Sequence, residues 1–577
     1  MALARSYSIA LVGVEGHTVE VEADIANGLV GLLLVGLPDT ALREARDRIR
    51  SAIVNSDQQW PQRKITVGLS PASLPKRGSA FDLAIAIAIL AADGVLPVGT
   101  LAGLVLLGEL GLDGRLRPVR GVLPATASAS GAGFTTVAVP RLNAPEAALV
   151  PGIRVLAVPS LTALLAHLRQ DRVAAGAEQV EVIDGGTFPP APGAWLNGDA
   201  RLAVAVAGSS PEAKAGRPRV GVARAHAAGR PTGTDRPVLR ACPVPGTGAG
   251  LLAARDQSGL DLADVLGQPV ARRAIEICAA GGHHLAMLGP PGAGKTMLAE
   301  RLPTVLPRLD LEAALEATSV HSVAGALPPG RPLITEPPFC APHHTATKAA
   351  IVGGGSGIIR PGAVSLAHQG VLFLDEAPEF SRDVLDALRQ PLESGEVVVA
   401  RSGLTARFPA RFTLVLAANP CPCARAAGSR AACTCTAAVK RRYLGRLSGP
   451  LLDRVDVKVE LFPVGKAELL SDRRFAENSA TVANRVELAR QRAAFRLAGT
   501  PWRLNAQLPG RELRRRFAPA AGALTRLERS MELGQLSARG VDRILRVAWT
   551  LADLAGKQRP TPDETGYALG LWLGVTQ

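Results

Sequence analysis

The sequence predicts a multidomain α/β protein, and three observations carry that prediction. Its 577 residues are 47% hydrophobic, enough to fill several separate cores in a chain of this length. Short β-rich runs alternate with helical patterns over roughly the first 170 residues, the pattern of an α/β unit. Farther along, a glycine loop stands between a short apolar strand and a helix, and basic helical segments follow it to the end.

In the first unit, Ala10–Val14, Thr18–Val21, Gly31–Val35, Ile65–Leu69, Leu101–Leu107 and Val137–Val139 read as strands. Leu42–Asn55, Phe81–Ala92, Pro145–Leu149 and Leu161–Arg169 read as helices, and Gly36-Leu37-Pro38-Asp39-Thr40 as a loop ending in a helix N-cap. From Gly185 to Gly250 the chain is dominated by Gly, Ala, Pro, Ser and Thr with scattered Arg. Such composition cannot bury enough apolar surface to fold by itself, so a flexible linker is expected there.

Order is expected again from Leu260, with helices over Asp261–Val265 and Ala271–Ala280. The apolar run Leu285-Ala286-Met287-Leu288 then leads into Gly289-Pro290-Pro291-Gly292-Ala293-Gly294-Lys295-Thr296. Strand, G-x-x-x-x-G-K-T and helix, in that order, are what a phosphate-binding loop requires. Its backbone N–H groups and the helix N-terminus face phosphate oxygens. Lys295 would reach the β- and γ-phosphates of ATP, and Thr296 would ligate Mg²⁺. Some 80 residues on, Val371-Leu372-Phe373-Leu374 ends in Asp375-Glu376, the shape of a Walker B strand. Asp375 would hold Mg²⁺ through water, and Glu376 would polarise the attacking water. Arg411–Ala418 reads as a further buried strand ending in Asn419, a polar tip suited to orienting water or sensing the γ-phosphate. Arg454, after Leu451-Leu452-Asp453, stands where a neighbouring subunit's nucleotide would lie; a surface ion pair with Asp453 or Asp456 is the plainer alternative.

Cys421, Cys423, Cys433 and Cys435 put four thiols within fifteen residues. Four thiolates can close a tetrahedral Zn²⁺ site, although C-x-C is tighter than the usual C-x₂-C, and a loop of reduced thiols is the alternative. His343-His344 reads as a polar loop near the nucleotide rather than a metal pair. Beyond about residue 465 the chain is expected to be helical, over Ala480–Leu497, Gly510–Phe517 and Leu536–Leu554.

The formal net charge of +15 points to a polyanionic partner, nucleic acid above all, with solvated arginine faces as the plainer source of the charge. Met1–Gly16 lacks the apolar core of an export signal. The longest apolar run, Leu83–Ala92, is too short to span a bilayer, and seven cysteines do not form a disulfide framework for this size. A cytoplasmic protein without a membrane partner is expected.

The motifs together resemble the ComM/YifB family of magnesium-chelatase-like AAA+ ATPases over nearly the whole chain. Besides those above, the matching stretches are Val35-Gly36-Leu37-Pro38-Asp39-Thr40, Leu74-Pro75-Lys76-Arg77-Gly78, Pro342-His343-His344 and Gly353-Gly354-Gly355. Leu388-Arg389-Gln390-Pro391-Leu392-Glu393, Asn419-Pro420-Cys421-Pro422-Cys423 and Arg446-Leu447-Ser448-Gly449-Pro450-Leu451-Leu452-Asp453-Arg454 complete them. The resemblance implies four parts: an N-terminal Lon protease-like (S5-like) α/β domain over 1–172, a linker over 173–258, a P-loop AAA+ core over 259–464 and a C-terminal α-helical lid over 465–577. It further implies a homo-hexameric ring in which Asn419 is sensor 1, Arg454 acts in trans as the arginine finger, and Arg539 is sensor 2, with Arg543 and Arg546 as alternatives. Val397–Pro409, carrying Arg401, Leu404 and Arg407, would be a hairpin in the channel.

By the same resemblance the protein is an ATP-driven DNA translocase and branch-migration helicase serving DNA uptake or recombination. A protein-remodelling motor like that of magnesium chelatase is the alternative reading, and an ATP-dependent protease a third. Against the protease, Ser79 lies near the Lon nucleophile position, but Pro124 occupies the place of the Lon lysine, and a serine without a base is a poor nucleophile. One departure from the family is Ala548-Trp549-Thr550, where an arginine is usual in the middle.

Overall fold

The structure, a computed structural model, describes residues 2–186 and 259–574, apart from short stretches at 37–38, 75, 77, 98, 172–177, 329, 356–358, 402–403, 426–432, 466–471 and 473–475. Most of the expected linker, and Leu37, Pro38, Pro75 and Arg77 of the family-like motifs, lie outside the described residues, as do the side chains of Asp39, Thr40, Arg401 and Leu404.

The N-terminal unit is built on an eight-stranded mixed sheet. Across the sheet the strands run Glu181–Asp184, Arg154–Val158, Thr136–Pro140, Leu104–Leu106, Ala2–Val12, Glu15–Ala26, Lys64–Ser70 and Gly31–Val35. Ala2–Val12 and Glu15–Ala26 form a long antiparallel hairpin, with Ala2 opposite Ile25 and Val12 opposite Glu15. The first strand is longer than its apolar pattern suggests because Ser6 and Ser8 face the core. Ser6 Oγ satisfies itself by donating to Ala84 O at 2.9 Å, which removes the cost of burying a hydroxyl. Asp82–Ala92 is apolar on all sides and buried nearly throughout, as a helix inside a core must be.

Other elements also differ from the sequence expectation. Val122–Gly131 is a helix whose small Ala and Ser residues, weak as a periodic signal, let it lie close on the first hairpin. Glu181–Asp184 pairs with Arg154–Val158 and buries Ile183, so the sheet reaches into the stretch expected to be linker. Where the sequence predicts a helix over Asp261–Val265 there is one 3₁₀ turn, Leu262–Asp264, held by reciprocal capping between Asp261 and Asp264.

The central sheet has five strands, all parallel, in the spatial order Phe339–Cys340, Val371–Leu374, Thr413–Ala418, Leu285–Leu288, Val457–Glu460. Leu285–Leu288 comes first in the chain yet lies between the last two strands. The crossovers therefore diverge beside it, and in open parallel sheets ligands bind outside the carboxyl ends of strands at such a point. Glu396–Arg401 and Leu404–Pro409 pair as the expected hairpin, Glu396 opposite Pro409 and Arg401 opposite Leu404. Its inward residues Val397, Val399, Ala406 and Phe408 are buried in the core that also holds Leu372 and Leu414.

The C-terminal helices Ser479–Leu497, Gly510–Arg514, Thr525–Glu532, Ala538–Ala555 and Pro562–Leu573 share one hydrophobic cluster with the central sheet. Val482, Ile544, Leu545 and Trp549 pack in it together with Ile275, Leu285 and Val457. Trp549 accounts for the departure noted above. It is buried, its Nε1 donates to Phe517 O at 2.9 Å, and the Arg496 guanidinium lies 4.1 Å from its ring centroid. A cation from a neighbouring helix thus stacks on this residue.

Candidate nucleotide site

The loop between Leu285–Leu288 and the helix Lys295–Val305 is shaped by its glycines. Gly292 and Gly294 take φ of 78° and 90°, left-handed values that side chains rarely tolerate. A Cβ on Gly289 would stand 2.7 Å from Leu461 O, so no larger residue fits without moving the neighbouring chain. Gln268, which the sequence analysis did not single out, braces the loop by donating to Ala293 O at 3.3 Å and Phe462 O at 2.7 Å.

Five of the sequence-predicted residues converge here. Lys295 Nζ donates to Gly289 O at 2.7 Å, Pro290 O at 2.9 Å and Asn419 Oδ1 at 3.0 Å. Thr296 Oγ1 donates to Asp375 Oδ2 at 2.8 Å, and the Glu376 N–H donates to Asp375 Oδ1 at 2.9 Å. Burial lowers the pKa of Lys295, and the charges of Asp375 and Glu376 oppose that shift. A desolvated ammonium held by carbonyls and an amide is readily transferred to phosphate oxygens, which bind it more strongly. The hydroxyl–carboxylate pair is an oxygen donor set suited to a hard divalent cation, so Thr296 and Asp375 fit Mg²⁺.

Glu376 sits at φ 50°, ψ 43°, a left-handed conformation uncommon for a non-glycine residue and typical of functional positions. His344 Nδ1 lies 3.5 Å from its Oε2, which places the His343-His344 loop beside the nucleotide site.

The two arginines stand apart from this cluster. The Arg454 side chain pairs with Glu393 and donates to Pro450 O; its ion partner is neither Asp453 nor Asp456. Asp456 is fully buried and accepts from Arg543 at 2.7 Å while lying 3.0 Å from His283 Nδ1. Burial alone would raise its pKa, but the His283 hydrogen bond and the Arg543 charge outweigh that and hold the carboxyl well below its usual range. His283 Nε2 lies 2.8 Å from Thr550 Oγ1, extending the network into the C-terminal helices. Arg543 also donates to Arg454 O at 3.0 Å, and Arg546 to Leu508 O at 2.7 Å. Arg539 is exposed in the first turn of its helix. Of the three sensor 2 candidates it is the one without a side-chain hydrogen bond or ion pair among the described residues. This network escaped the sequence analysis because its members are up to 267 residues apart.

The four clustered cysteines come together just after Asn419. Cys421 Sγ is 3.1 Å from Cys423 Sγ and 3.4 Å from Cys433 Sγ, and all four sulfurs lie within 4.8 Å of one another. Zn–S bonds of about 2.3 Å at tetrahedral angles put sulfurs roughly 3.8 Å apart, so the donor set fits Zn²⁺. A backbone hydrogen bond from Arg425 leads the causes that pull Cys423 down to about 7, whereas desolvation leads those that push Cys421 up to about 12 and raise Cys435.

Comparison with known proteins agrees with this arrangement. The sequence profile described as "Magnesium chelatase, subunit ChlI" matches residues 261–469, "Subunit ChlI of Mg-chelatase" matches 21–143, and "Magnesium chelatase, subunit ChlI C-terminal" matches 476–571. An uncharacterized protein of Mycobacterium tuberculosis is 47% identical over 99% of this chain and 98% of its own. Competence protein ComM of Haemophilus influenzae is 38% identical over 99% of this chain and 97% of its own. YifB of Escherichia coli is 39% identical over 96% and 94%. Near-complete alignment with these relatives, and a glycine loop, Asp375 and Asn419 on adjacent strands of one parallel sheet, make the chain a member of the ComM/YifB family of magnesium-chelatase-like AAA+ proteins.

Proposed function

We propose that the protein is a Mg²⁺-dependent ATP hydrolase working as a homo-hexameric, cytoplasmic DNA translocase, with branch migration in DNA uptake or recombination as its task. The observation that carries the ATPase reading is the junction of Lys295 with Asn419 and of Thr296 with Asp375. The loop amides and Lys295 bind the β- and γ-phosphates, and Thr296 and Asp375 hold Mg²⁺, which supplies charge neutralisation at the phosphates. Glu376 accepts the proton of the attacking water, Asn419 orients that water, Arg454 completes the site of the neighbouring subunit, and Arg539 reads the nucleotide from the helical lid.

The domain reading is a Lon protease-like platform over 1–172, a linker over 173–258, the AAA+ core over 259–464 and the lid over 465–577, with a structural Zn²⁺ on the four cysteines. The platform is non-proteolytic. Ser79 Oγ donates to Glu109, Pro124 is buried in the helix Val122–Gly131, and Lys76 Nζ donates to Pro71 O and Leu74 O. Ser79 therefore has no lysine among its described partners to take its proton.

The DNA part of the reading rests on the +15 charge, on the basic hairpin and on similarity to a protein named for competence. Among the described residues no helix is long and apolar enough to cross a membrane. ATP turnover measured against single-stranded, duplex and forked DNA tests the reading, with stimulation that falls steeply as salt rises expected from phosphate contacts. Turnover indifferent to every DNA form would overturn the translocase. Stimulation by a protein partner instead would favour the chelatase-like remodelling motor, the reading that the three chelatase profiles support.

A further inference from the structure

The segment carrying Arg454 is tied to the helix that leads into the hairpin. Arg389 and Glu393 lie four residues apart on the helix Arg389–Ser394 and so share one of its faces. Arg389 Nη2 donates to Ser448 Oγ at 3.0 Å, and Ser448 is the N-cap residue of the turn Gly449–Leu452. Glu393 accepts from the Arg454 guanidinium itself. One helix face thus grips both ends of the Arg454 segment.

The same helix is continuous with the hairpin. It stops at Gly395, which has φ 71°, and the first hairpin strand begins at Glu396. Ala410 N donates to Gly395 O at 2.8 Å, Ser394 Oγ donates to Glu396 O at 3.0 Å, and Arg407 pairs with Glu396 at 3.2 Å. Beneath these bonds, Leu388, Val397, Phe408, Leu447, Leu451 and Val455 belong to one buried cluster. Helix and hairpin base therefore form one continuous unit that packs against the Arg454 segment, and such close-packed contacts change by discrete steps rather than by yielding.

Glu393 itself is 67% exposed, whereas Arg454 is 18% exposed. A carboxylate in the last turn of a helix opposes the helix dipole, so Glu393 does not serve the helix that carries it. Among the described residues its ion partner is Arg454.

We infer that Glu393 is a positioning residue that holds Arg454 within its own subunit and releases it when a polyanionic chain displaces the hairpin. Occupancy of the hairpin is thereby converted into completion of the neighbour's nucleotide site. The inference rests on the proposed trans role of Arg454. Neutralising Glu393 removes the ion pair without removing Arg454.

The test measures ATP turnover by the full-length protein, with and without a single-stranded DNA oligonucleotide, for the parent, Glu393→Gln, Arg454→Ala and the double variant. Glu393→Gln is expected to raise DNA-free turnover roughly fivefold, the population shift a partly exposed ion pair can hold. Its stimulation by DNA should fall by a similar factor, with KM for ATP nearly unchanged. The double variant should match Arg454→Ala, because a holder has no effect once its cargo is absent. Glu393→Gln turnover that is unchanged or lowered without DNA, while Arg454→Ala is inactive, overturns the inference alone. An active Arg454→Ala protein overturns the trans reading beneath it. If DNA fails to stimulate the parent, the translocase reading falls, and the DNA-free rate of Glu393→Gln still decides whether Arg454 is held.

Discussion

The N-terminal and central sheets are both covered by helices and both carry a glycine-containing loop with a lysine and a serine or threonine, yet they use those polar groups differently. In the N-terminal unit the groups close on one another within the unit. Arg48 donates to both carboxylate oxygens of Asp82 at 2.8 and 3.2 Å, Ser79 donates to Glu109, and Lys76 is buried against backbone carbonyls. In the central unit they converge at the strand tips on partners that a triphosphate and a cation can replace, as Lys295 does on Gly289, Pro290 and Asn419. Similar residue types are closed in one sheet and poised in the other. The comparison teaches that the placement of a lysine beside exchangeable acceptors at the carboxyl end of a parallel sheet, rather than its presence in a loop, marks the site of chemistry.

The strongest effect lies at the central sheet. Glu376→Gln should retain ATP binding and lower turnover by about a hundredfold or more, as loss of a general base does, whereas Lys295→Ala should lose binding itself. Fluorescent-nucleotide titration beside a phosphate-release assay separates the two, and a Glu376→Gln protein with ordinary turnover would remove Glu376 from the mechanism.

Next comes the network joining the central sheet to the C-terminal helices. Asp456→Asn leaves the Arg543 guanidinium without its buried counter-charge and should cost about 3 kcal/mol of stability, read by denaturant unfolding. Because the folded-state pKa of Asp456 is depressed, its contribution is fully present above the unfolded value of about 4 and is lost as pH falls toward the folded one. Parent and variant stabilities should therefore converge in acid, and a gap that widens there would contradict the assignment.

A smaller and local effect is expected at the cysteines. Purified protein should carry one zinc per chain by elemental analysis, and changing Cys421, Cys423, Cys433 and Cys435 together to serine should abolish it. Metal retained by the serine variant would place zinc elsewhere.

The weakest effect concerns the N-terminal unit. Ser79→Ala removes one hydrogen bond to a carboxylate, worth about 1–2 kcal/mol, and should leave ATP turnover unaltered. Peptide cleavage that is present in the parent and absent in this variant would make the N-terminal unit a protease after all.

Much of the nucleotide site was legible because its chemistry is written contiguously. A phosphate loop needs glycines and a lysine at fixed spacing, and Asp375-Glu376 must follow an apolar strand. The hairpin was expected from the family resemblance, and the cysteine cluster from the number and closeness of its thiols. Less visible were elements whose polar or small residues face inward, as Ser6, Ser8 and the helix Val122–Gly131 do, since periodicity registers apolar positions only. Gln268 carried no contiguous signal for its contacts, and Arg454 suggested a local partner in Asp453 or Asp456 when its partner is Glu393, 61 residues away.

The sequence by itself determined the backbone-dictated features: where the chain must turn on glycine, where a helix dipole meets phosphate, and which carboxylates end the strands. These follow from covalent order, because a few neighbouring residues supply all the groups. Only the tertiary structure decided the pairings, among them Lys295 with Asn419, His283 with Asp456 and Thr550, and Glu393 with Arg454. Such partners are brought together by sheet order and core packing, and desolvation there decides which charges must meet.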